Sequence, residues 1–155
     1  MRSLSHDLSP PVLAHGGMQH ILQWLADRTR ELHGLEVHFT PAATFEVQSE
    51  SLRGIIYRFV QELLYNVVKH AGVNQAWLTM EVRGGRECVA VQDHGCGFDA
   101  CLPRGQGGAA ATAPGIGLLS ISERLRMLGG DMEIDSRPGQ GSCLTLFLPP
   151  STSLP

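Results

Sequence analysis

The amino-acid sequence predicts an α+β domain, a two-layer α/β sandwich with helices packed on one face of a mixed sheet. Three observations point there. Long runs carry apolar residues at three- and four-residue steps, the signature of helices with one buried face. Most of the alternating segments are joined by short glycine-containing turns and so pair as hairpins. Strands and helices do not alternate as a doubly wound parallel sheet requires. The chain has 155 residues, the size of one domain, and its 43% hydrophobic content suffices for a single core.

Taken in order, residues 1–14 read as a linker remnant, 15–150 as the domain and 151–155 as a frayed tail. Ser9-Pro10-Pro11 stops any preceding helix and stiffens the join. Val12 to His33 predicts a helix with Ile21, Leu22, Trp24, Leu25 and Leu32 on its apolar side and Gly34 as its C-terminal cap. Leu35 to Phe39 alternates and reads as a strand. Glu50 to Gly72 predicts the organising helix, burying Leu52, Ile55, Ile56, Phe59, Val60, Leu63, Leu64, Val67 and Val68.

Ala76 to Val82 alternates Ala76, Leu78, Met80 and Val82 against Trp77, Thr79 and Glu81, and Gly84-Gly85 turns it into a second strand, Glu87 to Gln92. Phe98 to Pro114 is rich in Gly and Ala and poor in large apolar groups, which predicts a mobile loop. Gly115 opens a helix running to about Leu128, with Ile116, Leu119, Leu125 and Leu128 among its apolar residues, and Gly129-Gly130 ends it. Asp131 to Asp135 and Cys143 to Leu148 predict a last hairpin about the turn Arg137-Pro138-Gly139-Gln140-Gly141.

The net charge of −3 gives no broad basic field, so nothing argues for nucleic acid or an anionic membrane as partner. Cys88, Cys96, Cys101 and Cys143 lack both CxxC spacing and a secreted framework, which favours unpaired thiols in a reducing, cytoplasmic setting. No apolar run is long enough to span a bilayer, and the N-terminus lacks the order of a signal peptide. His33 and His38 have no partner spacing that supports metal ligation and read as structural or solvated.

The chemistry gathers in three places. Glu62, Asn66, Lys69 and His70 share a flank of the organising helix roughly 120° from its apolar face, at 3.6 residues per turn. Asp93 ends a strand and runs into Gly95-Cys96-Gly97, and Gly115 and Gly117 open the later helix. A carboxylate at a strand end accepts the exocyclic amino group of adenine, which guanine does not present, and the two glycines after it let main chain approach a ligand, with Cys96 between them a filler. Asn66 and Glu62 place two oxygen ligands one turn apart, suited to magnesium with retained waters. Glu62 also serves as a candidate general base. A helix N-terminus at Gly115 and Gly117 favours phosphate, and no Walker-type sequence is present. The bland alternatives are a turn-forming Asp93, an i to i+4 polar pair on a wet face, and ordinary surface Lys69 and His70.

These motifs resemble those of the Bergerat-fold ATPases, the superfamily of sensor histidine kinases, type II topoisomerases, heat-shock chaperones and mismatch-repair ATPases. Glu62 to Ala71 looks like the N box, Asp93-His94-Gly95-Cys96-Gly97 like the G1 box and Gly115-Ile116-Gly117-Leu118 like the G2 box. Asn-Val-Val-Lys-His-Ala at 66–71, Ser122 to Gly130 and Leu8-Ser9-Pro10-Pro11-Val12-Leu13 resemble histidine kinases of the nitrate and desaturase sensor subgroup. The resemblance implies the catalytic domain of such a kinase, binding ATP and Mg2+ and transferring the γ-phosphoryl to a histidine.

It implies Glu62 as the catalytic residue, and Asn66 with Glu62 at the metal. Nucleotide contacts would come from Asn66, Lys69, His70, Asp93, Gly95, Gly97, Gly115, Ile116, Gly117, Leu118 and Ser142, the last aligning with a family threonine. Arg124 also matches a subgroup position, and Phe98 to Pro114 resembles the ATP lid. The implied partners are the histidine-bearing dimerisation domain of a homodimeric parent and, indirectly, a response regulator. The implied setting is a cytoplasmic domain, with no membrane contact of its own, of a parent that can be anchored in the inner membrane. The alternatives are a stand-alone serine kinase of the anti-sigma type and a non-catalytic nucleotide-binding interaction module.

Overall fold

The computed structural model describes residues 17–42, 47, 49–97 and 116–149. Its elements are α1 (Met18–His33), β1 (Glu36–Thr40), α2 (Glu50–Asn66) continued by a π-helical turn (Val67–Ala71), β2 (Gln75–Arg83), β3 (Arg86–Asp93), α3 (Ile116–Met127), β4 (Asp131–Ser136) and β5 (Ser142–Phe147). The expected linker 1–14, the lid segment Phe98 to Pro114, Gly115 and the tail 151–155 lie outside the described residues.

The strands form one mixed sheet in the order β1-β2-β3-β5-β4, with β1 and β2 parallel and every other pairing antiparallel. Register decides which side chains meet. Ala76, Leu78 and Met80 of β2, Val89 and Val91 of β3, and Leu144 and Leu146 of β5 share one face, and all are buried. Against it pack Ile21, Leu22 and Leu25 of α1, Ile56, Val60, Leu63 and Leu64 of α2, and Leu118, Ile121 and Leu125 of α3. The apolar stripe of each helix and the alternate residues of each strand thus close one core, leaving the second sheet face without a helix layer among the described residues. On that face the register sets His38, Trp77, Gln92, Cys143 and Asp135 in one row across the strands. His38 stacks on Trp77 at 5.3 Å, and Trp77 in turn meets His94 at 4.8 Å.

The helix ends have local causes. Ser49 caps α2 by accepting from the Leu52 N–H at 3.1 Å. Gly34 ends α1 in the left-handed region, its N–H donating to Arg30 O.

Several expectations change. The organising helix is not α-helical to Gly72, because its last five residues take π geometry before Gly72 closes the turn at φ 72°. Leu32, Val82 and Leu119, which belong to the apolar patterns of their elements, are 54%, 48% and 39% exposed. Leu32 stands in the last turn of α1, Val82 at the end of β2, and Leu119 one step beyond the buried Leu118, where the apolar pattern outlasts the layer that covers it. Tyr57 of α2, by contrast, is 1% exposed and faces Trp24 at 6.2 Å.

Candidate functional site

At one end of the core a pocket opens between the end of α2, the end of β3, the start of α3 and the start of β5. Leu63, Val67, Ala71, Val91, Leu118 and Leu144 make its apolar walls, and Asn66, His70, Asp93, Gly97 and Ser142 its polar and backbone edges. An apolar slot with a few convergent polar groups has the shape and chemistry of a small-ligand site.

Asp93 is the polar centre. It is the last residue of β3 and only 4% exposed. The Gly95 N–H donates to its Oδ1 at 2.8 Å, and the Ser142 hydroxyl donates to its Oδ2 at 2.7 Å. Both oxygens are fixed by neutral donors, and a carboxylate that accepts two bonds retains lone pairs for an amino group in the slot. The register explains the pairing, since Ser142 is the direct cross-strand partner of Asp93.

Gly95 and Gly97 earn their place by space and conformation. A Cβ at Gly95 would collide with the carbonyl oxygen of Ala71, and Gly97 holds φ at 63° against Arg137 O. The intervening residue is more than a filler. The Cys96 N–H donates to Ala71 O at 3.0 Å and its thiol donates to His70 O at 2.9 Å. Cys96 therefore ties the loop after β3 to the π turn.

The structure divides the polar flank of α2. Asn66 and His70 line the pocket with Asp93. Lys69 does not; it is exposed, and its ammonium lies over the Tyr65 ring at 4.6 Å from the centroid, a cation–π contact. The π turn rotates residues after Asn66 away from α-helical spacing. Glu62 is half-buried, and a methyl placed on Gly117 would stand 2.7 Å from its Oε2, so the carboxylate lies against the first turn of α3. Glu62 also borders a groove between α1 and α2 with Leu25, Arg28, Leu32, His33 and Tyr65. Ile116 begins α3, Leu118 is buried beneath the slot, and Arg124 is exposed on the far turns of that helix.

The donor set also suits a hard cation. Asn66 and Glu62 stand one turn apart on α2, and among the described residues no three His, Cys, Asp or Glu side chains converge. A carboxamide and a carboxylate fit magnesium, which keeps waters and takes phosphate oxygens in preference to an all-protein cage.

Sequence reasoning placed Leu63, Val67, Val91 and Leu144 only in the core or on a strand. The missed signal was position: each lies within four residues of a polar site residue, at the end of its element.

Comparison with known proteins agrees with this geometry. Residues 52–152 match the family model described as histidine kinase-, DNA gyrase B- and HSP90-like ATPase. An uncharacterized sensor-like histidine kinase of Chloroflexus aurantiacus is 31% identical over 153 residues, covering 96% of this chain and 25% of the relative. The sensor histidine kinase MctS of Rhizobium johnstonii is 31% identical over 155 residues, covering 100% and 32%. The oxygen sensor histidine kinase NreB of Staphylococcus carnosus is 26% identical, covering 96% and 41%. The chain therefore spans between a quarter and about two fifths of the length of these relatives. Among solved structures, the Erythrobacter litoralis EL346 blue-light activated histidine kinase superposes with a TM-score of 0.67 at 19% identity, covering 88% of this chain and 42% of that one. Its histidine kinase domain gives the same TM-score at 21% identity, with 88% and 63% covered. At such identities the likeness is one of fold.

Proposed function

From the premise that this chain belongs to the histidine kinase-, DNA gyrase B- and HSP90-like ATPase family, whose model spans residues 52–152, we propose that it is the catalytic domain of a longer sensor histidine kinase. The family makes it an ATP- and Mg2+-binding domain of the histidine kinase type. The finer reading is that it transfers the γ-phosphoryl of ATP to a histidine on the dimerisation domain of its own parent, a homodimer that then serves a response regulator. The nitrate and desaturase sensor subgroup is part of that reading, on the wording of residues 66–71 and 122–130.

The observation that carries the reading is the buried Asp93, both oxygens held by neutral donors, at the edge of an apolar slot. Adenine offers that carboxylate an amino group and offers Val67, Leu118 and Leu144 a flat apolar ring. Guanine offers its carbonyl oxygen at the same place, where a second acceptor repels it. Asn66 would hold the magnesium ion and Glu62 a water on it, and the bound ion would neutralise phosphate charge. Glu62 would then take the proton of the attacking group, and the first turn of α3 would receive phosphate oxygens.

Calorimetric titration of a non-hydrolysable ATP analogue, with and without magnesium, tests the reading. Wild-type protein should bind it in preference to the GTP analogue, and Asp93→Asn should weaken binding by about ten-fold or more, as for loss of a charge-assisted hydrogen bond. Equal binding of both analogues by wild type, or indifference to Asp93→Asn, would remove the adenine-reading role.

A further inference from the structure

We propose that Cys96 is a positioning residue for the nucleotide pocket, its thiol holding the wall formed by His70 and Ala71 at a set distance from Asp93. The proposal rests on the nucleotide reading above and goes beyond it in naming what fixes the slot's width.

Three polar groups of this one residue reach two other segments. Its N–H donates to Ala71 O at 3.0 Å, its S–H donates to His70 O at 2.9 Å, and its carbonyl accepts from the Gly139 N–H at 2.6 Å. His70 and Ala71 of the π turn line the pocket together with Asp93 and Gly97. Gly139 belongs to the turn before β5, the strand that brings Ser142 to Asp93. Cys96 thus joins all three segments that meet at the base-reading carboxylate.

The physical need is local. The last carbonyls of a helix have no partner within it and must find donors outside. Here the π turn ends at Ala71 and Gly72 reverses the chain, leaving the carbonyls of His70 and Ala71 to the loop after β3. Cys96 supplies a backbone donor to one and a side-chain donor to the other. The neighbouring fit leaves no slack, because Gly95 admits no Cβ against the Ala71 carbonyl. A side chain without a donor at the exposed position 96 hands the His70 carbonyl over to water and removes one of the two ties between that wall and the loop after β3.

The experiment compares Cys96→Ala and Cys96→Ser with wild type, by affinity for the ATP analogue and by thermal melting. Serine keeps a donor, and alanine removes it while leaving the backbone bonds. Cys96→Ala should bind about three- to ten-fold more weakly, the scale of one hydrogen bond, and Cys96→Ser should stay within about two-fold of wild type. Should Cys96→Ala fail to fold, blocking the thiols of folded wild-type protein with a methylthiolating reagent removes the same donor, with identically treated Cys96→Ser as the control. Binding that weakens in the first and not in the second supports the role. Alanine and serine behaving alike, whether both match wild type or both fall, overturns it. Wild-type protein that ignores the ATP analogue overturns the nucleotide reading itself, whereas wild type that binds while Cys96→Ala is unaffected overturns only this proposal.

Discussion

At the scale of single residues, what matters is which atoms have room and which have partners. Gly117 shows the first. It lies in the first turn of α3 with Glu62 Oε2 in the space a methyl would take, at 2.7 Å. The obstructing group is the free end of a flexible side chain, so Gly117→Ala can be accommodated by moving the carboxylate. Alanine favours a helix over glycine by up to about 1 kcal/mol, so the fold should not suffer. We therefore expect Gly117→Ala to keep or slightly raise the melting temperature while phosphoryl transfer to an added acceptor domain falls. A variant that melts normally and transfers normally would argue against a role for the present position of Glu62. Cys96 and Asp93 show the second principle, since each is defined by bonds to other segments. Burial raises the thiols of Cys88 and Cys143 above their ordinary value, which makes them poor nucleophiles.

At the scale of elements, one carboxylate adds to the backbone bonds that hold the junction of α3 and β4. Asp131 Oδ1 accepts from the Met132 N–H at 2.9 Å and faces Arg126 Nε at 3.3 Å. The backbone bond first, and the side-chain bond from Arg126 second, hold its carboxyl below the usual range. A carboxyl depressed in the folded state stabilises the fold above its unfolded pKa of about 3.9, and that contribution disappears as pH falls through the folded value. Both side chains are more than half exposed, so solvent screening limits the effect to roughly 0.5 kcal/mol. Thermal melts of wild type and Asp131→Asn should therefore differ slightly at pH 7 and converge as pH falls through the folded value. A difference that persists in acid would assign the effect to shape and not to charge. The other element with a distinctive geometry is the π turn. It ends α2, turns Lys69 onto Tyr65 and presents His70 to the pocket.

At the scale of the whole molecule, the chain covers a quarter to about two fifths of its sensor kinase relatives. Among the described residues no helix is long and apolar enough to cross a membrane. If the acceptor histidine belongs to a separate domain of the parent, this chain should bind the ATP analogue yet phosphorylate nothing until that domain is added. Radiolabel transfer from ATP to the added domain, acid-labile as phosphohistidine is, measures it directly. Strong acid-stable labelling of serine instead would favour the serine kinase alternative, and binding without transfer to any acceptor the interaction-module alternative. The groove beside Glu62, edged by the exposed Leu32 and Tyr65, is a surface whose accessibility could be followed in the same experiment.

What the sequence determined by itself was local. Three- and four-residue apolar steps define α1, α2 and α3 because one helical face must leave water, and alternation with glycine turns defines the hairpins β2–β3 and β4–β5. The order of Glu62, Asn66, Asp93 and the glycines was legible because the chemistry needs particular atoms at element ends. Tertiary structure alone decided the rest. It inserted β5 between β3 and β4, which is what places Ser142 opposite Asp93. It exposed Leu32, Val82 and Leu119, because burial depends on what arrives from elsewhere and not on the pattern within an element. It drew Cys96, read from its neighbours as a filler, onto the carbonyl of His70, 26 residues earlier in the chain. A periodicity records what one segment needs from its surroundings; only the packed chain brings together groups whose partners lie far away in sequence.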